Sequence, residues 1–540
     1  MKKLLIVFVS FIAILVTSCK KDSLDLVNPN QPGLVSMQVE EGFVKAAYGV
    51  YNSLRAVNAG GNWYYYTWFT QWLHNIMGDV TVSQVGNFGI RWANQPARII
   101  RPGGAVLLPP VGGTQIEELD KLNARAVGSD NIQFHEWVWA YALIGHCNLL
   151  LSIVDKVEFR GDATTITTKR NTYKAWLYFW KGHAYSRLGS IYKVGIIANE
   201  YGQLSNVYVP NTQLVAEATR NFDLAKAILA AIPNDNATYA QVFDQLIPSH
   251  FKVGRGGVLT PQMFVRTINT FMARNILVNK PVGELTATDL NAIEALANLG
   301  VNATDRVFTI RSASTNCLVY ETTWSQRRLN LAWERVSERF VQDIRPGDLR
   351  YTRNIRVLGT AIVNPQGRHF HYGTRFFLND IATGGNWMSA TAGLAEGYIN
   401  STFEENQLML AEVKIRRGQI DAGLAHIDAV RSFQNAGLPP LVGAGLNQAA
   451  ALEELRSERR VALFLRGLSF YDLRRAGVLK PIAQGGGRTN ANVVFEGGVV
   501  EACTIEYLFK EWWDVPANES DFNPVTTGAK SLNPNIINPL

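Results

Sequence analysis

Apolar residues recur at helical spacing in separate blocks of this chain, with long aperiodic stretches between them. The first block predicts a helix over about Val39–Ala56, where Phe43, Ala47, Val50, Tyr51 and Leu54 share a face. Three stronger blocks follow. About Ile132–Lys156 is carried by Phe134, Trp137, Val138, Tyr141 and Ile144. About Asn171–Lys193 is carried by Trp176, Trp180, Ala184, Leu188 and Ile191. About Gln213–Ala231 is carried by Phe222, Ala225, Ile228 and Leu229, with Pro233 as its stop. Helices are also predicted over about Pro261–Val278, Leu329–Asp343, Ser401–Arg417 and Ile420–Phe433, and one long helix or a pair over Gln448–Ala476. Residues 234–258 read as loop and Asn316–Thr323 as a short strand. The remaining stretches are rich in Gly, Pro and aromatics without a period, and read as irregular.

The Ser401–Phe433 block, broken at Gly418-Gln419, is a helix-turn-helix of about the 34-residue tetratricopeptide length. One such hairpin cannot bury its apolar face alone, so several must stack. The expected fold class is all-α: a tetratricopeptide-like helical repeat scaffold with a large irregular, loop-rich subdomain. Repeat helices are expected within about 37–57, 132–232 and 401–476, and loop-rich insertions within about 58–131, 233–400 and 477–540. Loops held on a rigid frame are where binding residues usually lie.

The first residues carry a different pattern. Lys2 and Lys3 precede a nearly unbroken apolar run, Leu4 to Val16. At about 13 residues it is short for a membrane span, which needs about 20. It reads as an export signal, residues 1–18. The run ends Val16-Thr17-Ser18-Cys19, which resembles the lipobox of bacterial lipoproteins. That resemblance implies diacylglycerol on the Cys19 sulfur and cleavage before it. Each buried CH₂ contributes about 0.8 kcal/mol, so two or more chains anchor stably. Residues 19–36 are polar with Pro29 and Pro32, and read as a tether.

Composition then narrows the class. Of 540 residues, 47% are hydrophobic and 18% charged, which suits a globular body. The formal charge of +7 is spread along the chain without a basic stripe, so no nucleic-acid partner is expected. Apart from Cys19, the cysteines are Cys147, Cys317 and Cys503, too far apart for a metal ribbon or redox pair. Cys147 lies on an apolar helical stretch and is expected to be a buried free thiol.

Several segments resemble the SusD/RagB family of surface lipoproteins from glycan-degrading Gram-negative bacteria. They include Ser18-Cys19-Lys20-Lys21-Asp22, Trp137 to Val154, and Phe403–Gly418 followed by Ile427–Arg431 and Ala436-Gly437-Leu438-Pro439. The sharpest is Glu458-Arg459-Arg460, Arg466-Gly467 and Tyr471-Asp472-Leu473-Arg474-Arg475, although the family usually has Glu before this Gly. Pro516, Glu519 and Asn523-Pro524 complete the set. The resemblance implies a non-enzymatic glycan-binding protein on the outer face of the outer membrane. Its partner would be a SusC-like TonB-dependent transporter, for which it captures nutrient.

Sugar binding needs flat apolar ring faces together with polar groups for hydroxyls, which Trp and Tyr supply. The densest cluster is Trp63-Tyr64-Tyr65-Tyr66-Thr67-Trp68, followed by Trp72. Trp92 and Asn94 lie roughly where the resemblance places a binding aromatic and amide. Trp324, near Tyr320, is similarly placed in the central loop region, and Trp387 follows Gly384-Gly385. These eight residues are the ligand-binding candidates. Trp512-Trp513 reads as structural. Arg459, Arg466, Asp472 and Arg474 read as ion pairs bracing helix to helix. His369-x-His371 has no evident third ligand, so no metal is expected, and no cofactor. The chain has no G-x-S-x-G, H-E-x-x-H or P-loop motif, and Gly254-Arg255-Gly256-Gly257 reads as a turn. A peptide or other nutrient on the same fold, and a glycan-degrading enzyme with distant carboxylates, are the competing expectations.

Overall fold

In the computed structural model of the protein, the helical blocks become a row of packed helices. The residues described are 33–52, 57–59, 62–64, 70–83, 89–109, 113–311, 335–363, 373–389, 391 and 393–524; of 52, 57–59 and 62–64 only the backbone is described. The principal helices are α1 (Glu40–Asn52), α2 (Ile132–Ile153), α3 (Ala163–Ile191), α4 (Asn211–Ala230), α5 (Ala237–Leu246), α6 (Pro261–Val278), α7 (Ala287–Asn298), α8 (Phe403–Arg416), α9 (Ile420–Phe433), α10 (Gln448–Ala462) and α11 (Ser469–Arg475). Packing runs from α2 to α3, α3 to α4, α4 to α6, α6 to α7, α7 to α8, and from α8 to both α9 and α10. The fold is all-α, with small sheets at its margins.

Local chemistry sets the helix ends. Thr260 caps α6 by accepting from the Met263 N–H, and Pro261 occupies the first turn where no N–H is needed. α3 begins at Ala163, well before the expected Asn171, because Asp162 accepts from the Thr165 N–H. Its Thr-rich first turns are solvent-facing and show no apolar period. α5 and α7 fall in stretches that read as irregular. Tyr239, Val242, Phe243 and Leu246 line the buried face of α5. A capping box between Thr286 and Asp289 opens α7, which buries Leu290, Ile293 and Ala297. Both helices are short, so their periods are weak against the surrounding loop residues.

Aromatic rings fill the centre. Tyr51 stacks on Trp180 at 5.3 Å between centroids, and Phe179 stacks on Phe308 at 5.1 Å. Trp137, Trp139, Trp176 and Trp513 are buried as well. α3 and α4 approach closely at Gly182, where a Cβ would stand 2.7 Å from the Phe222 ring. Cys147 is buried and free, and burial pushes its thiol up to about 12.

The C-terminal stretch, read as irregular, forms a hairpin, β7 (Arg488–Val494) and β8 (Val500–Glu506), and six of the described strands upstream bear on it or on the site. Four of those are β1 (Arg98–Ile100), β2 (Val106–Leu107), β3 (Thr309–Arg311) and β6 (Glu396–Tyr398). The other two form a hairpin of their own, β4 (Ile355–Ile362) with β5 (Thr374–Leu378). β8 pairs antiparallel with β1, so Ile505 faces Ile99 and the chain's end closes on its first third. β3 and β6 pair likewise. The expected Asn316–Thr323 strand and His369-x-His371 lie outside the described residues. Of the expected Leu329–Asp343 helix, the described part is a strand at Arg335–Val336 and a helix at Glu338–Asp343.

The predicted Gln448–Ala476 block is a pair, α10 and α11, separated by a turn in which Leu465 and Gly467 take positive φ. Every charge of its motif is engaged. Glu458 accepts from Arg350 at 2.5 Å and from Arg431 at 2.9 Å. Arg459 and Arg475 both pair with Asp472, and Arg475 also grips Glu412 on α8 at 2.7 Å through two nitrogens. Arg460 pairs with Asp343 and donates to the carbonyls of Gly78 and Asp79. Arg474 donates to the last carbonyls of α3 and α6, at Ser190 and Val278. The expectation of bracing charges therefore corresponds to real contacts.

Neutralising Glu458 weakens its charge-assisted bonds to Arg350 and Arg431 at a cost of about 1.5–3 kcal/mol, because Asp348 and Glu454 still answer those two guanidiniums. Glu458→Gln is expected to lower unfolding free energy by about that amount in urea titration. A loss under about 1 kcal/mol would mean that Arg350 and Arg431 are not held by this carboxylate.

Candidate functional site

A cavity of about 370 Å³ opens between the end of α9, the turn after α10, β6 and the segment 381–387. It sits within the usual size range of ligand pockets, about 300–1,000 Å³. Trp387, Tyr398, Phe433 and Phe464 contribute rings to its wall, and Arg255, Arg353, Asn386, Glu396, Glu404, Gln434 and Arg466 contribute polar groups.

Each wall has a local cause. Gly254 takes φ 68°, and a Cβ there would stand 2.6 Å from a Glu396 oxygen. That turn brings the Arg255 N–H to Glu396 Oε1 at 3.0 Å, while Arg311 pairs with the same carboxylate from β3 at 3.2 Å. The Gly254–Gly257 segment is thus a turn that presents a guanidinium. Trp387 leans on Phe464 with centroids 4.6 Å apart and is half-buried. The Asn354 side chain fixes the loop by accepting from the Asn386 N–H at 2.7 Å.

Glu404, on the first turn of α8, accepts from Arg466 at 2.8 Å and Arg255 at 3.0 Å. Burial works to raise its carboxyl, but Arg466 and then Arg255 outweigh it and hold the group well below the usual carboxylate range. Arg255 is held above its ordinary value: burial opposes the charge, but Glu404 and Tyr398 favour it more strongly. Burial, then Glu396, pushes the Tyr398 hydroxyl up to about 12, so it stays protonated and can donate. The guanidiniums of Arg466 and Arg255 lie 4.7 Å and 5.6 Å from the Tyr398 ring centroid.

The sequence-nominated residues divide. Trp387 lines this cavity. Trp92 and Asn94 sit at the end of a short helix, Ile90–Ala93, and do not line it. Arg91 covers the Trp92 ring at 4.5 Å, and Trp92 is 7% exposed. Asn94 is 2% exposed, and neither its amide oxygen nor its nitrogen makes a hydrogen bond. Such an orphaned amide costs about 1–3 kcal/mol and calls for a partner. Trp72 is 2% exposed inside the helix Trp72–Met77, so in this structure it presents no open ring face and acts as packing. Trp63 belongs to the strand Asn62–Tyr64, opposite Asn58, with its side chain outside the described set. Trp68, Tyr320, Trp324 and Cys19 also lie outside the described residues.

Arg255, Arg353, Tyr398, Phe433 and Arg466 were not anticipated as cavity residues. Their only sequence signals were the Gly-rich turn at 254–257 and the Arg466-Gly467 pair. A larger hollow of about 500 Å³ near α11 holds Trp512, but Arg474 sits 3.9 Å over that ring and takes its face.

No family model matches the chain, and no curated protein matches it. Solved structures do, and they define the class as a SusD-like fold. A SusD-like carbohydrate binding protein from Bacteroides fragilis aligns over 90% of this chain and 99% of its own, with TM-score 0.59 and 14% identity. A putative sugar binding protein from Bacteroides vulgatus aligns over 91% and 98%, with TM-score 0.57 and 15% identity. A SusD homolog from Bacteroides thetaiotaomicron aligns over 90% and 96%, with TM-score 0.57 and 13% identity.

Because the folded pKa of Glu404 is depressed, its pairing stabilises the protein fully above the ordinary value of 4.5 and is lost as pH falls through the lower folded value. Asp343, held low by Arg460 and Arg488 against its burial, acts in the same direction. The midpoint of thermal unfolding is expected to drop steadily as pH is lowered from 4.5 in circular-dichroism melts. An unchanged midpoint between pH 6 and 3 would contradict the pairing.

Proposed function

We propose that this protein is a cell-surface lipoprotein that binds oligosaccharide or polysaccharide and delivers it to a partner SusC-like TonB-dependent transporter. It acts by binding alone, without a cofactor or metal. The observation that carries the reading is the cavity at Trp387, where aromatic rings alternate with polar side chains on a fold shared with proteins described as carbohydrate binding. Ring faces meet the C–H side of pyranoses, and the polar groups meet their hydroxyls.

Trp92 and Asn94 are further proposed ligand contacts, as are Trp63, Trp68, Tyr320 and Trp324. Cys19 carries the lipid that keeps the binder on the outer membrane, facing outward beside its transporter.

A glycan-array screen of the purified protein tests the reading. Hits are expected, and Trp387→Ala or Trp92→Ala should weaken the best one about tenfold, equivalent to about 1.4 kcal/mol. No glycan hits alongside peptide binding would move the cargo to peptide. Release of reducing ends from a bound glycan would make the protein an enzyme. Cys19→Ser is expected to shift the protein from the membrane fraction to the soluble fraction on cell fractionation; retention in the membrane fraction would remove the lipid anchor from the account.

A further inference from the structure

Charge around the Trp387 cavity is unevenly answered. Arg350 is matched from behind the wall by Asp348 and Glu458, and Glu396 by Arg311. Arg255 and Arg466 share one carboxylate, Glu404. Arg353 has no carboxylate partner among the described residues: it donates to the main-chain carbonyls of Gln434 at 3.2 Å and Asn435 at 2.7 Å and to the Asn386 side-chain oxygen at 3.2 Å. The Arg255 Nη2 nitrogen is buried and makes no hydrogen bond. Positive charge is thus left over at a partly desolvated wall where a carboxylate would find charge-assisted donors, the strong kind of hydrogen bond. Phe433 backs Arg255 with its ring centroid 4.8 Å from the guanidinium. Trp387 lies on the same cavity and offers a half-buried ring to the apolar side of a sugar.

We propose that this cavity selects a sugar bearing a carboxylate, with Arg353 and Arg255 as its counter-charges and Trp387 as its platform. The proposal rests on the glycan-binding reading and deepens it by naming the chemical class of the ligand. A neutral sugar would leave the excess guanidinium charge facing an uncharged surface. A carboxylate would complete the set that Glu404 only half completes. The cavity's size suits one end of a chain rather than a long stretch of it.

The test is isothermal titration of the full-length protein with trigalacturonate and with sialyllactose. Their neutral counterparts, the carboxyl-reduced trisaccharide and lactose, serve as controls. At least one acidic probe is expected to bind about tenfold tighter than its neutral counterpart, with the preference shrinking as salt is raised. Arg353→Gln should abolish the preference, and Arg353→Lys should restore part of it. Because Arg353 holds neutral oxygens and no carboxylate, these variants are expected to keep the wild-type melting temperature within a few degrees. Arg255→Gln is a second probe, read beside a melt because it also frees Glu404. Equal affinity for acidic and neutral members of both pairs overturns the proposal and leaves glycan binding standing. A preference that survives Arg353→Gln and Arg255→Gln in folded protein overturns the assignment of these arginines. No binding of either class here, together with an array without hits, overturns both the proposal and the reading beneath it.

Discussion

Buried guanidinium–carboxylate pairs spreading from α10 and α11 tie together segments that lie far apart in the chain. Glu458 joins α10 to the helix Leu349–Asn354 and to α9. Arg460 reaches the Gly78-Asp79 turn and Asp343. Asp79 in turn accepts from Arg339 at 2.7 Å and from the Tyr507 hydroxyl at 2.7 Å. Charges out of water are expensive, and an ion pair repays that cost only when its geometry is well met. Apolar packing would hold the same segments together while tolerating small slips. A two-nitrogen grip such as Arg475 on Glu412 does not, because each donor has one acceptor direction. The loops therefore take one register against the helical row, and the cavity inherits its shape from that register.

The cavity is a direct product of this arrangement. Arg466 belongs to the turn between α10 and α11, and Glu404 to the first turn of α8, and their pairing closes one wall. Arg350 faces the cavity while its charge is spent on Asp348 and Glu458. Residues of the frame and residues of the cavity wall overlap here. Those whose charges are fully matched hold the frame, while Arg353 and the buried edge of Arg255 retain capacity for something else. The same distinction separates Trp387 from Trp72. Both are aromatic residues nominated by composition, yet one lines an opening and the other lies inside a helix core.

The aromatic richness of the chain illustrates how far sequence reading reaches. Helical spacing correctly marked Trp137, Trp176 and Trp180 as core, because a repeat of 3.6 places them on one face. The α6 and α9 limits were legible from Thr260-Pro261 and from the break at Gly418-Gln419. α5 and α7 were legible only in hindsight through their caps, since a short helix carries few apolar positions. The pairing of β8 with β1 was not, because the two strands lie some 400 residues apart, and strand pairing of that kind leaves no local period.

Residues 2–19 suffice to propose a signal and a lipid-bearing Cys19, since both depend on local order of charge, apolar length and a cysteine. The Glu458–Arg475 motif likewise announced bracing charges, because opposite charges at helical spacing favour ion pairs between packed helices. Local sequence thus supports the proposal of an anchor, and it determined the helical row and the character of the α10–α11 segment. Only tertiary structure decided which partner each charge found, which aromatics remained open, and where arginine was left in excess. Those outcomes depend on segments hundreds of residues apart meeting in one wall, and no spacing along the chain encodes that meeting.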